Sequence, residues 1–218
     1  MIKKIIGKIF MTKKEKRHQL VGPGKLWKMK QKFQIDFLQD KGLQPNHRLI
    51  DIGCGTLRGG IPIIDYLEAG HYAGVDVRPE VIKEAFEELL DEGLDHKEAD
   101  IRTFMEFSEL SFAHKFDFAL AFSVLIHMND QVAQKCLDFV SQNLQPTGVF
   151  YANVNIGERK DGNWQGFPIV FRDFEFYSNL ASTSGLEVEK IDSLKNLGHH
   201  SKMDLGDQQL MLAFKLAH

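Results

Sequence analysis

No run of about eighteen apolar residues occurs in this chain of 218, so no segment is built to cross a bilayer as a helix. Cysteine is nearly absent. Cys54 and Cys136 are the only two, and neither sits in a metal-type cluster, which excludes a disulfide scaffold and fits a reducing, cytoplasmic setting. There are six prolines, no internal repeat and no low-complexity stretch, which leaves out linker-rich and solenoid classes. What remains is ordinary for a globular protein: 43% hydrophobic residues and enough length for one α/β domain with an ample core.

Charge is unevenly spread. Residues 1–32 hold 11 of the 27 Lys and Arg but only one of the 30 acids, which leaves 16 bases and 29 acids for the rest. An acidic body argues against nonspecific nucleic-acid binding, and DNA is not an expected partner. Residues 1–23 form a basic leader ending at Gly22-Pro23-Gly24. Ile2, Ile5, Ile6, Ile9 and Phe10 recur at helical spacing, with Lys3, Lys4 and Lys8 on other faces. Two readings follow. Residues 1–20 make weak contact with an anionic membrane surface, placing the protein at the membrane periphery, or the leader docks on its own acidic body or frays. Lysines break its apolar stretch too often for a signal peptide.

The densest information lies in Leu49-Ile50-Asp51-Ile52-Gly53-Cys54-Gly55-Thr56. An apolar run ends in a glycine turn, and a second run, Tyr72-Ala73-Gly74-Val75, ends in Asp76 about twenty residues on. Strand, glycine turn, helix, strand and acid is the layout of a nucleoside-binding βαβ unit, with Asp76 able to accept from both ribose hydroxyls. A dinucleotide site wants a third glycine where Arg58 stands, and Asp51 beside the turn would repel a pyrophosphate. A cationic ligand reverses that argument.

On these residues the chain resembles the class I S-adenosylmethionine-dependent methyltransferases, from about Gly24 to Lys215. Further landmarks fall in family order: Asp100-Ile101, Phe116 to Ser123 before His127, Leu144-Gln145-Pro146-Thr147-Gly148, Gly185 to Val188, and Gln208 to Lys215. One departure is Leu57 at the family's third turn glycine, with Gly59-Gly60 following. The resemblance implies a Rossmann-like, doubly wound α/β sheet of about seven strands, mostly parallel with an antiparallel last strand and helices on both faces. It implies a methyltransferase domain over residues 24–218 using S-adenosylmethionine. The cofactor would meet Asp51, Gly53, Cys54, Gly55, Thr56, Arg58, Asp76, Val77, Asp100, Ile101 and Phe122.

Periodicity places a helix over 25–40, strands near 48–53, 72–77, 96–101, 116–122 and 148–154, and helices from Leu57 to Leu67, from Pro79 to about Leu90, across 132–144 and from Phe174 to Ser184. Residues 155–172 lack periodicity, are rich in Gly, Asn and aromatics, and read as a substrate lid.

Methyl transfer from a sulfonium needs chiefly alignment and exclusion of water, and a base only when the nucleophile carries a proton. His127, after the fourth strand, is the candidate base, with a loop anchor as its alternative role. Tyr151, Asn153, Trp164 and Arg172 are the candidate substrate residues. The Asn/Asp-Pro-Pro-Tyr of base and amide methylation and the Pro-Cys of cytosine methylation are absent. His199-His200 with Asp204 reads as a polar turn and not a metal site, because adjacent loop histidines point apart. The expected function is methylation of a small-molecule O- or N-nucleophile. The alternatives are a protein or RNA methyltransferase, or a noncatalytic cofactor-binding partner anchored through its leader.

Overall fold

The computed structural model describes residues 11–164 and 166–217. The leader helix expected over Ile2–Phe10 lies outside them. Seven strands form one sheet: β1 (Leu49–Ile52), β2 (Tyr72–Asp76), β3 (Asp100–Thr103), β4 (Phe116–Ala121), β5 (Leu144–Val154), β8 (Leu186–Ser193) and β9 (Leu210–Leu216). Their order is β3-β2-β1-β4-β5-β9-β8, and a separate hairpin pairs β6 (Gly162–Trp164) with β7 (Phe167–Ile169). Strands β1 to β5 pair in parallel, while β9 runs antiparallel to both β5 and β8. The order reverses between β1 and β4, so a crevice opens at their C-terminal ends, where open α/β sheets bind ligands.

The central strands are nearly continuous apolar runs because both faces are covered. On one face lie α2 (Trp27–Asp40), α3 (Gly60–Tyr66) and α4 (Pro79–Asp91), packing Phe37, Leu38, Ile63 and Ala85 against Leu49, Tyr72 and Phe118. On the other lie α5 (Asp130–Asn143) and α6 (Phe174–Thr183), packing Leu137, Val140 and Tyr177 against Ile50, Val75 and Phe150. Asn129 and Asp173 cap these two helices through the amides of Val132 and Phe176, contacts worth about 1 kcal/mol each. No helix among the described residues is long and apolar enough to cross a membrane.

The leader carries a helix of its own, α1 (Lys13–Gln19), closed by a Thr12–Glu15 capping box. It lies on α4. Arg17 bonds Glu84, Glu88 and Asp91, while Lys13 reaches Glu87 and Lys14 reaches Glu92. His18 stacks on Trp27 with ring centres 3.4 Å apart. These basic residues are therefore spent on the protein's own acidic helix, which carries Val21, Gly22 and Pro23 to the sheet's C-terminal edge.

Some boundaries moved: β5 begins at Leu144 and not near 148, and α3 at Gly60 and not Leu57. The third strand begins at Asp100 and not near 96, because a 3₁₀ turn at Asp95–Lys97 and left-handed Glu98 prolong the preceding loop. The aperiodic segment 155–172 contains the β6–β7 hairpin, whose three-residue strands are too short to show a period.

Candidate active site

The turn after β1 is built from backbone. Gly53 has φ +72°, and a Cβ there would lie 2.5 Å from Val124 Cγ2. Gly55 has φ +59°, and its Cβ would lie 2.7 Å from Val21 Cγ1. Both positions need glycine on conformation and on space. Around this turn opens a cavity of about 530 Å³, within the usual size of small-molecule sites.

Of the residues expected at the site, Gly53, Cys54, Gly55, Arg58, Asp76, Val77, Phe122, His127 and Trp164 line it. Asp76, at the tip of β2, accepts from the Gly55 amide at 3.1 Å and from the Arg78 amide at 3.0 Å. Arg58 is buried, and its Nη1 donates to Val21 O at 2.6 Å. Its Nε has no partner among the described residues, and burial pulls its pKa down to about 10. A desolvated guanidinium with a spare donor suits a ligand carboxylate.

Seven expected site residues lie outside the cavity lining. Asp51 points to the Leu49 side of β1, where Tyr72 Oη donates to it at 2.9 Å, and burial pushes its pKa up to about 7. Thr56 is fully buried beneath the turn. Asp100 and Ile101 stand at the N-terminal end of β3, opposite Ala73 and Gly74, because the strand starts late. Asp100 pairs with Arg102 at the surface and Ile101 is core, while Phe104, just past the strand, takes the cavity position. Tyr151 packs edge-on to Phe37 in the core. Arg172 is held by Asp130 and Asp161 outside the cavity. Asn153 is fully buried and braces Ser123, accepting from its amide at 2.7 Å.

That brace belongs to a longer run. Asn153 Nδ2 donates to Gln209 Oε1, Gln209 Nε2 to Asn155 Oδ1, and Asn155 Nδ2 to Val170 O. It joins the tip of β4 to the end of the hairpin, and it holds Ser123 at φ +61°, a strained value for a non-glycine residue on the cavity wall.

His127 closes a 3₁₀ turn after β4. Its Nδ1 lies 2.8 Å from Pro168 O, and its ring stacks on Trp164 with centres 5.4 Å apart. A carbonyl only accepts, so Nδ1 carries the proton and Nε2 keeps its lone pair. Burial, aided by the Arg78 charge, holds the imidazole below its ordinary pKa and so neutral.

Residues the sequence did not single out complete the walls: Lys30, Arg78, Phe104, Asn129, Ser201 and Gln209, with His199 turned inward although it had been read as part of a polar turn. His199 is buried and bonded to Asp207, while His200 is exposed, so the pair does point apart. No three metal-type side chains converge among the described residues. The signal available beforehand was thin: one lysine among several on α2, and one of two histidines.

A family profile for the methyltransferase domain matches residues 43–198. Solved structures share the fold. An S-adenosylmethionine-dependent methyltransferase from Clostridium acetobutylicum aligns over 88% of this chain and 92% of its own, at 14% identity and TM-score 0.65. Magnesium protoporphyrin IX methyltransferase from Synechocystis, with bound S-adenosylmethionine, aligns over 94% and 92%, at 13% and 0.68. A glycopeptide N-methyltransferase complexed with S-adenosylhomocysteine aligns over 85% and 86%, at 10% and 0.64. The chain belongs to the methyltransferase domain family, and its fold is that of the class I enzymes that use S-adenosylmethionine.

Proposed function

We propose that this enzyme methylates a small molecule at an oxygen or nitrogen nucleophile, with His127 as the base when that nucleophile carries a proton. When bound, S-adenosylmethionine supplies a methyl group already activated on sulfur. The turn Gly53-Cys54-Gly55 would give it backbone to lie against, Asp76 would hold the ribose, Val77 and Phe104 would flank the adenine, and Arg58 would meet the carboxylate. Trp164, Phe167 and Ile169 of the hairpin wall the cavity and exclude water.

The observation that carries the reading is the His127 geometry: a neutral imidazole on the cavity wall whose Nδ1 proton is committed to Pro168 O. A small acceptor fits a largely apolar cavity of this volume, and three leader bases that could steer a polymer, Lys13, Lys14 and Arg17, are engaged by α4. Screening acceptors with methyl-labelled cofactor tests it. The expected result is label on a small molecule, reduced about 10²–10⁴-fold in His127→Ala if the acceptor is a hydroxyl. Label on protein or RNA overturns the reading.

A further inference from the structure

The cavity has a second polar pole away from His127. Lys30, on α2, is half-buried and places Nζ 5.8 Å from the centre of the Phe122 ring. It makes no ion pair and donates no hydrogen bond among the described residues. His199 lies against the same ring, its centre 5.7 Å away, with Phe33 edge-on at 5.1 Å. Both residues line the cavity.

His199 is 1% exposed, and its Nε2 has no partner among the described residues. Its Nδ1 lies 2.8 Å from Asp207 Oδ1. That carboxylate also accepts from the Ser201 amide and hydroxyl and from the Lys202 amide. Burial alone would raise Asp207, but the Ser201 bonds and His199 outweigh it and hold the carboxyl below its ordinary range. Asp207 is therefore an acceptor only, so His199 Nδ1 carries the proton and Nε2 is a bare lone pair.

The pole thus offers one acceptor, His199 Nε2, and one donor, the Lys30 ammonium. A carboxylate would meet the lone pair unfavourably, and an alkyl group would leave both unpaired at a cost. A hydroxyl matches either group, donating to the nitrogen or accepting from the ammonium. Arg58, tied to the leader by Val21 O, is the separate cation for the cofactor carboxylate.

We propose that Lys30 and the His199–Asp207 pair, each set against the Phe122 ring, form a recognition site for a hydroxyl of the acceptor, a phenol or alcohol. Burial, with Arg58 second, pulls the Lys30 pKa down to about 7, and burial also lowers that of His199. The proposal rests on the methyltransferase reading and narrows its acceptor to a molecule carrying such a hydroxyl.

The test uses the full chain saturated with S-adenosylhomocysteine and two probes of one shape, phenol and toluene, titrated by calorimetry. Phenol should bind at least about tenfold more tightly, the scale of one buried hydrogen bond. Lys30→Met and His199→Phe should each erase that preference while S-adenosylhomocysteine affinity stays within about twofold. If His199→Phe fails to fold, Lys30→Met decides alone. Equal binding of the probes, or no phenol binding, overturns the proposal. So does a tenfold loss of S-adenosylhomocysteine affinity in Lys30→Met, which would hand Lys30 to the cofactor. Failure of the wild type to bind S-adenosylhomocysteine at all would instead strike the underlying reading.

Discussion

Arg17 Nη1 and Glu88 Oε2 meet at 2.6 Å with both side chains 1% exposed, the deepest ion pair between leader and domain among the described residues. Removing one partner of such a pair costs about 3–5 kcal/mol while the other stays buried. Undocking α1 avoids that cost, so the local opening should come first. Arg17→Met should lose amide-exchange protection over residues 13–23 with little change in protection of β1 and β4. S-adenosylhomocysteine affinity should fall, because Val21 no longer anchors Arg58. Unchanged protection in the leader would refute the linkage.

The neighbouring pairs between α1 and α4 set an acid limit. Asp91 is held below its ordinary pKa chiefly by its bond to Arg17, and Glu87 and Glu92 likewise by Lys13 and Lys14. Lowered carboxylates stabilise docking above the unfolded carboxylate range, and that help is lost as pH falls through their folded values. Leader exchange should therefore speed up below about pH 4, and salt should mimic the effect at neutral pH by screening the exposed pairs. A leader insensitive to both would mean that the His18–Trp27 stack, not charge, holds α1.

Arg78 would compete for Asp76 with the ribose proposed to bind there. Its guanidinium reaches Asp76 Oδ1 at 3.1 Å and Oδ2 at 3.2 Å, its Nη1 reaches Leu20 O, and it lies over the Phe167 ring. Asp76→Ala should weaken S-adenosylhomocysteine by about 1–3 kcal/mol, the scale of hydrogen bonds to a charged group. Calorimetry giving equal affinity would remove Asp76 from the ribose role, and tight binding of NAD would contradict the cofactor assignment.

For a hydroxyl acceptor, the rate should rise with pH through a value below the ordinary histidine range and level off before neutrality. The competent form of His127 is neutral, and burial lowers its pKa. A kcat/KM profile of wild type shows this limb, and His127→Ala should flatten it. A limb that persists in the variant belongs to another group.

What was legible in the chain was what strong local signals carry. Gly53 and Gly55 mark the turn because no other residue fits there, and the apolar runs of β1, β2 and β4 mark a covered parallel sheet. Asp100 and Ile101 were placed one strand-length early, since a loop ending in left-handed Glu98 has no sequence signature. Asn153 and Tyr151 looked like site residues because strand alternation does not tell which end of a side chain's surroundings is wet. Lys30 and His199, 169 positions apart, meet Phe122 only through the fold.

The buried amides joining Ser123 to Val170 O have a polarity. Each gives its nitrogen forward and takes with its oxygen from behind, starting at a peptide N–H and ending at a carbonyl. No amide can turn over alone without setting like against like. Deamidation of Asn153 to aspartate would leave an oxygen facing Gln209 Oε1. Gln209 and then Asn155 could reverse to suit, but the last reversal sets Asn155 oxygen against Val170 O. An error written beneath β4 would thus be read out at the hairpin, one step from the Pro168 carbonyl that orients His127.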